Sequence, residues 1–337
     1  MKSIRLPEAL RLISRGTVNF ITGKPLAVSY EVTHSCTGGC KHCDKGGLKK
    51  ETNLMQPEDY RRYQSALKPI VVQMSGGEPL LRKDITEIAR AIKEPKGLPL
   101  LVLVTNAKLL TMEKYQALRE VGVNQFSISL DFPNSLHDDF RGSPGLYAHL
   151  DSLIPELASV GNDDIVLNTA ITLDNLPYIL GNYKKACLWG VNISYSAYTP
   201  LRTGSMEHYI SSPEELEELR DSIAELIRLR RKDGRVINPE WTLRDTCQYF
   251  KNGTIPGCKA GRRFLVVTPQ GQFQPCSMHK RIYPTREEML QAFLPTNTCG
   301  ECYVAIRAYL SQSYWKLLWD NFSFRVLSRG KDEKPPY

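Results

Sequence analysis

The beat of apolar and polar positions changes repeatedly along this chain. Apolar runs rich in β-branched residues fall at 26–33, 70–74, 99–105, 125–130, 165–172 and 191–197, each of a length that suits a buried strand. Between them apolar residues recur at helical spacing near 57–67, 84–93, 112–121, 145–160 and 176–189. Pro57 suits a first helical position and Thr111 an N-cap. Strands that alternate with helices predict an α/β fold, a parallel sheet covered by its own crossovers. Crossovers of one hand curl such a sheet into a barrel or an open crescent.

Further helical patterns flank this alternation. Leu6, Ala9, Leu10 and Ile13 predict a helix over 6–15, with Pro7 near its start and Gly16 as its stop. Arg5, Arg11 and Arg15 make it basic, so a membrane-surface contact stands as the second reading behind docking across the bottom of the main domain. Over 212–233, Ser212 and Glu215 form a capping box, Pro213 opens the helix and Gly234 ends it. This helix reads as a bridge to a second, smaller unit. There, Gly271 and Gln272 predict a hairpin turn between Phe264–Val267 and Phe273. Residues 303–324 are helical in period and aromatic (Tyr309, Tyr314, Trp315, Trp319, Phe322, Phe324), and are expected to pack on that unit. The expected division is 1–24 lead-in helix, 25–210 barrel, 211–245 bridge, 246–325 cysteine-rich unit and 326–337 tail.

Composition narrows the class. With 337 residues, 42% of them hydrophobic and 24% charged, the chain reads as an ordinary globular protein with room for a large core. The longest apolar run, 98–104, is too short to cross a bilayer, and the start lacks the apolar segment of a secretory signal. Nine cysteines in such a chain favour metal ligation over disulfides, and a reducing cytoplasm. The net charge of +8 points to an anionic partner. Its basic residues are scattered rather than striped with aromatics, which argues against nucleic acid.

The chemistry concentrates in Cys36-Thr37-Gly38-Gly39-Cys40-Lys41-His42-Cys43. A [4Fe–4S] cube normally takes four thiolates, so three on one tight loop leave one iron open, as catalytic metal sites require. Spacing alone leaves a zinc loop or plain reduced thiols equally available. Further on, Ser75-Gly76-Gly77-Glu78-Pro79 follows the strand-like run 70–74, with glycines that permit close approach to a ligand and a carboxylate suited to an ammonium group.

Together, C-x3-C-x2-C and a strand-terminal GGEP resemble the radical S-adenosylmethionine (radical SAM) enzymes. The resemblance implies a partial (β/α)6 barrel of the TIM type. It also implies a [4Fe–4S] cluster on Cys36, Cys40 and Cys43 whose open iron is chelated by S-adenosylmethionine. Reductive cleavage would then yield methionine and a 5′-deoxyadenosyl radical. For cofactor contacts it implies Gly76, Gly77, Glu78, Asn106, Ser129 for the ribose, Arg141 for the methionine carboxylate and His42 beside the adenine. Tyr195 to Tyr198 would offer backbone to the adenine. Cys258, Cys276 and the pair Cys299/Cys302 resemble an auxiliary Twitch or SPASM extension, closer to a single-cluster Twitch, and imply a second [4Fe–4S] cluster; four such thiols also suit zinc. Cys187 and Cys247 read as buried thiols, with Cys247 a spare ligand. A flavodoxin or ferredoxin is the implied reductant, docking on Lys41, Lys45, Lys49 and Lys50 unless these are a solvated face. Peptide, small carbohydrate and lipid substrates all stay open, the last through similarity to the enzyme that adenosylates hopenes. A non-catalytic iron–sulfur carrier is the alternative from another class.

Overall fold

The computed structural model describes residues 6–95 and 97–317. Helix α1 (Leu6–Thr22) leads into β1 (Ala27–Thr33), and β2 (Val71–Gly76), β3 (Leu100–Thr105), β4 (Gln125–Ser129), β5 (Ile165–Ile171) and β6 (Asn192–Ala197) follow in sequence order, all parallel. The crossovers are α2 (Pro57–Leu67), α3 (Ile85–Ile92), α4 (Met112–Glu120), α5 (Leu136–Arg141) with α6 (Leu146–Ser159), and α7 (Ile179–Trp189). This is the expected partial (β/α)6 barrel. Alternation along β1 shows how it is built: Val28, Tyr30 and Val32 face the helices, with Tyr30 edge-on to Tyr60 of α2. Ser29, Glu31 and Thr33 take the other face, where Ser29 Oγ meets Ser75 Oγ of β2 at 2.8 Å. The core therefore lies between sheet and helices, and the lumen is polar.

Local chemistry behaves as the residue types dictate. Pro57 opens α2, and the Thr111 hydroxyl accepts from the Lys114 amide. Ser212 and Glu215 close a reciprocal capping box on α8 (Pro213–Asp233), which Gly234 ends in the left-handed conformation. At the carboxyl ends of β1 and β2 the two strands nearly touch. A Cβ on Gly76 would stand 2.1 Å from the Thr33 carbonyl oxygen, and one on Gly77 2.0 Å from that of Ser35. The close approach these glycines permit is to the chain's own backbone.

Four expectations need revision. First, α1 does not stop at Gly16 but continues to Thr22. Glycine inside a helix costs about 1 kcal/mol, yet here it admits Tyr314, whose hydroxyl lies 2.8 Å from Thr17 Oγ1. Second, α5 and α9 (Glu240–Asn252) are helices that the apolar pattern did not announce. Third, the hairpin of β7 (Phe264–Val267) and β8 (Phe273–Gln274), turned at Gly271, is not separate from the barrel sheet: β7 pairs in parallel with β1, Ala27 opposite Phe264. Fourth, the aromatic C-terminal stretch is no single helix. After α10 (Arg286–Phe293), Tyr303 precedes the short α11 (Ala305–Leu310), and another turn spans 314–317. Trp319, Phe322, Phe324 and the tail lie outside the described residues.

The contact between strand ends predicts that Gly77→Ala lowers stability by about 1–3 kcal/mol, read as a lower urea midpoint at unchanged slope. At the opposite end, Arg15 of α1 forks onto Glu94 at 2.7 and 2.8 Å. Burial alone would raise the Glu94 carboxyl, but Arg15 and Gln64 hold it below its ordinary 4.5. This pair's contribution is therefore full above that pH and fades as pH falls through the lowered folded value. With Glu94→Gln the wild-type advantage at neutral pH, about 1 kcal/mol for such a half-exposed pair, should vanish on acidification.

Candidate functional site

The loop between β1 and α2 is closed on itself before any ligand enters. The Cys36 amide donates to the Gly47 carbonyl at 2.9 Å, and the Cys43 amide to that of Cys40 at 3.1 Å. Glu51 ties its root by accepting from Thr33 Oγ1, from the His34 amide at 2.7 Å and from Ser35 Oγ at 3.2 Å. Its far side leans on α5: the Gly39 amide donates to the Arg141 carbonyl at 2.9 Å and the Lys41 amide to that of Phe140 at 3.0 Å. Gly142, in the left-handed conformation, makes room, since a Cβ there would stand 2.9 Å from the Gly39 oxygen. Cys36, Cys40 and Cys43 thus share one neighbourhood, and the charge of each bears on the others. Burial raises the Cys36 and Cys40 thiols above their ordinary range.

Around these sulfurs stand donors. The Gly38 amide lies 3.5 Å from Cys36 Sγ, Asn106 Nδ2 3.9 Å from it, and the Arg141 guanidinium 3.7 Å from Cys40 Sγ. Asn106 Nδ2 also donates to Thr37 Oγ1 at 3.0 Å. Arg141 is buried, and its Nε donates to Asp131 Oδ2 at 2.6 Å. Asp131 is fully buried; against the upward push of burial, Arg141, His42 and His137 hold its carboxyl below the usual range. The structure therefore gives Arg141 two partners that the sequence reading did not foresee, the carboxylate of Asp131 and the thiol of Cys40. His42 stacks on Phe140 at 5.0 Å with its Nδ1 buried and unpartnered among the described residues. Burial lowers its pKa to about 4.

Glu78 needs a correction. Read as a group held out to a ligand's ammonium, its carboxylate instead turns inward and accepts from Thr105 Oγ1 at 2.6 Å, the Asn106 amide at 2.8 Å and the Leu80 amide at 3.1 Å. Burial raises it above its ordinary value. Glu78 thus fixes the end of β3, and with it Asn106, while the Gly77 amide donates to the Thr33 carbonyl at 2.7 Å. Ser129 ends β4 facing the half-open lumen, in register with Asn168 of β5. The backbone of Tyr195 is not open to an adenine either, because Asn238 bonds its N–H and C=O at 2.7 and 2.8 Å.

The second set of thiols also comes together. Cys258 and Cys299 are hydrogen-bonded, which lowers the former to about 7 and raises the latter; Cys276 and Cys302 bear electrostatically on them, and burial lifts Cys302 to about 12. Gly300 is required between Cys299 and Cys302, since a Cβ would stand 2.3 Å from Thr254 Oγ1. Arg307, wholly buried, donates to the Cys302 carbonyl at 2.6 Å. Of the two remaining cysteines, Cys187 sits 4.0 Å from Asp233 and Cys247 lies on α9, where Arg220 bears on it electrostatically. Nine cysteines are then accounted for, with no fourth thiol left for the first loop. Among the described residues, no group of three or more His, Cys, Asp or Glu side chains is preformed around a single metal ion, so fit rests on donor type and neighbourhood. Thiols grouped as three and four, with amide and guanidinium donors near the first set, fit iron–sulfur clusters.

Several residues around the site escaped the sequence reading. Glu31, on the lumen face of β1, binds Lys45 at 2.6 Å and His34 at 2.9 Å, so Lys45 points inward, whereas Lys41, Lys49 and Lys50 are exposed. Against burial these two hold Glu31 down to about 2. His208, buried, pairs with Asp174 at 2.7 Å and packs edge-on to Phe140. After β6, Arg202 reaches Asp44 at 3.2 Å and Thr199 donates to the Glu301 carbonyl at 3.1 Å, so one loop touches both thiol sets. The signal available for these was position alone: acids and bases at the carboxyl ends of barrel strands.

Comparison with known proteins agrees with this geometry. Residues 30–183 match the family described as the Radical SAM superfamily. A protein of Oleidesulfovibrio alaskensis named AdoMet-dependent heme synthase is 28% identical over 284 residues, 74% of this chain and 69% of that protein. One of the same name from Methanosarcina barkeri is 28% identical over 285 residues, 76% of this chain and 78% of its own. In fold, Streptococcus suis SuiB bound to S-adenosylmethionine is similar at a TM-score of 0.62 and 17% identity, covering 91% of this chain and 68% of that one. The structure described as native anSMEcpe with bound AdoMet has a TM-score of 0.61 at 15% identity, covering 90% and 98%. Barrel, thiol loop and matched stretch agree: residues 30–183 form a domain of the Radical SAM superfamily, a family of enzymes that use a [4Fe–4S] cluster and S-adenosylmethionine.

Proposed function

We propose that Cys36, Cys40 and Cys43 hold the S-adenosylmethionine cluster, that Cys258, Cys276, Cys299 and Cys302 hold a second one, and that the enzyme abstracts hydrogen from an organic substrate bound between them. The observation that carries this reading is the accounting of thiols, three on one loop and four in a separate set. When bound, the first cluster and S-adenosylmethionine supply reductive cleavage of the sulfonium and a 5′-deoxyadenosyl radical. The chain's own residues orient and shield. Asn106 and the Gly38 amide steady the Cys36 sulfur, Arg141 faces Cys40, and Ser129 at the end of β4 would supply a hydroxyl to the ribose. His42, stacked on Phe140, covers one side and excludes water. The second set would take or relay an electron, making net oxidation accessible. A flavodoxin or ferredoxin would dock over exposed Lys41, Lys49 and Lys50.

On substrate, two relatives that cover more than two thirds of both chains support a tetrapyrrole as the first class to try. Both are named heme synthases. A carboxylate-bearing macrocycle also suits the chain's net charge of +8. The lipid reading, which comes from similarity to the enzyme that adenosylates hopenes, gains no support from the amphipathic helix, which lies at the other end of the barrel from the first thiol loop.

Anaerobic reconstitution tests this. Wild type should bind about eight irons in two cubes and release 5′-deoxyadenosine with dithionite and S-adenosylmethionine. Triple replacement of Cys36, Cys40 and Cys43 by Ala should remove about four irons and abolish that release; replacing the second set should also remove about four but spare cleavage. Full cluster loading with no 5′-deoxyadenosine would leave the electron-carrier reading standing instead. With propionate-bearing metalloporphyrins added, 5′-deoxyadenosine should rise in step with a mass change of the porphyrin. Cleavage with every such porphyrin unchanged would rule out the substrate class and keep the enzyme.

A further inference from the structure

Helix α1 is held to the barrel along one side only. Asn19 donates to the carbonyls of Pro25 and Lys68, both at 2.9 Å, Arg15 binds Glu94, and Gly16 lies beneath Tyr314. The partners just precede β1, β2 and β3, so α1 covers the amino-terminal floor of the barrel. Its other side is apolar and open: Leu10 is 58% exposed, Ile13 43%, Val18 53% and Ile21 76%. At 100° per residue these fall on one broad stripe. Ser14 and Thr17 share the same arc, and an exposed, mainly apolar face of this kind on a folded protein marks a contact surface.

Where the stripe ends, charge begins. A pocket of about 110 Å³ opens beside Phe20, and its lining includes Lys24, Lys259, Arg262 and Arg263 and no carboxylate. The Arg263 guanidinium lies over the Phe20 ring at 5.2 Å. Tyr314 stacks on Phe20 at 4.7 Å, and next to it Trp315 is 78% exposed. One surface thus carries an apolar helix face, an exposed indole and a cluster of cations.

We propose that this floor is a docking surface for an anionic lipid bilayer, with α1 lying in the interface and a headgroup anion held at Lys24, Lys259 and Arg262. Apolar stripe, interfacial tryptophan and flanking cations are the chemistry of helices that lie on membranes. A second copy of the chain suits the face poorly, because a two-fold contact would set these cations against themselves. Among the described residues no helix is long and apolar enough to cross a membrane, so the association is peripheral. The loop of Cys36, Cys40 and Cys43 opens at the opposite, carboxyl-terminal ends of the strands, whereas Lys259 adjoins Cys258 of the second set. The bilayer would therefore anchor the enzyme at the end of the barrel away from the first thiol loop.

Flotation with extruded vesicles tests the proposal on the full chain. Vesicles of phosphatidylcholine with phosphatidylglycerol should carry the protein upward, phosphatidylcholine alone should not, and added salt should weaken the association. The double variant Lys259→Glu/Arg262→Glu should bind anionic vesicles at least about tenfold less, and Leu10→Ser/Ile21→Ser should fail to bind at an unchanged unfolding midpoint. No flotation with either vesicle, or equal flotation with both, overturns the proposal. So does light scattering that finds a dimer which Leu10→Ser/Ile21→Ser dissolves, since the face would then belong to a second copy.

Discussion

The buried pair of Asp131 and Arg141 is the constraint on which the site depends. Asp131 Oδ2 takes the guanidinium and Oδ1 the Ala170 amide of β5; its backbone carbonyl accepts from Asn175 and Asn182, and its amide donates to His137. One residue thereby fastens β4, β5, α5 and α7 at their meeting point. Arg141 passes that order on, through its side chain to Cys40 and through its carbonyl to Gly39. Two charges out of water are costly, and breaking such a pair by removing one partner costs about 3–5 kcal/mol. So expensive an arrangement makes sense where it fixes the position of a loop that must accept an inorganic group without distorting.

The same logic runs through the neighbouring strand ends. Glu78 is a carboxylate in the interior that accepts hydrogen bonds from Thr105, Asn106 and Leu80, and it holds Asn106 beside Cys36. Gly76 and Gly77 let β1 and β2 close to a separation that any side chain would forbid. Rigidity here comes from buried polar groups that are paired, which specify one geometry where apolar packing alone would tolerate several. The lumen below stays polar and half-open, and the outer face carries the apolar core.

How much of this the sequence disclosed follows from the range of the interactions. The six strands and their main crossovers were legible because burial on the sheet's outer face imposes short apolar runs, and capping residues such as Thr111 and Ser212 act within a single turn. α5 was hidden: six residues, with His137, Asp138, Asp139 and Arg141 among them, read as site chemistry and not as a helix. The end of α1 was misjudged because Gly16 answers to Tyr314, nearly three hundred residues away. The pairing of β7 with β1 is non-local in the same way, and no periodicity records it. Cysteine spacing announced both thiol groups, whereas the inward turn of Glu78 depends on a group 27 residues distant and the partners of Arg141 lie 10 and 101 residues away. Composition marks donors; only the fold says who receives them.

That non-local order also links the two thiol groups. The chain leaving β6 donates from Thr199 to the Glu301 carbonyl, between Cys299 and Cys302, and a few residues on extends Arg202 to Asp44, directly after Cys43. Lys280, in the segment after Cys276, approaches Asp44 and bonds the Arg202 carbonyl. His208, further along the same stretch, packs on the Phe140 ring that backs His42. A group bound between the two sets would therefore press on a single segment with fixed points at both, and any shift of that segment would be felt at Cys43 and at Glu301 together. Because these ties are hydrogen bonds and half-exposed ion pairs, not packed apolar surface, they are weak enough to yield to a bound molecule. The barrel core beneath is not. Strength at the strand ends and compliance in the loop above them would divide the work between holding the proposed cluster in place and admitting what it acts on.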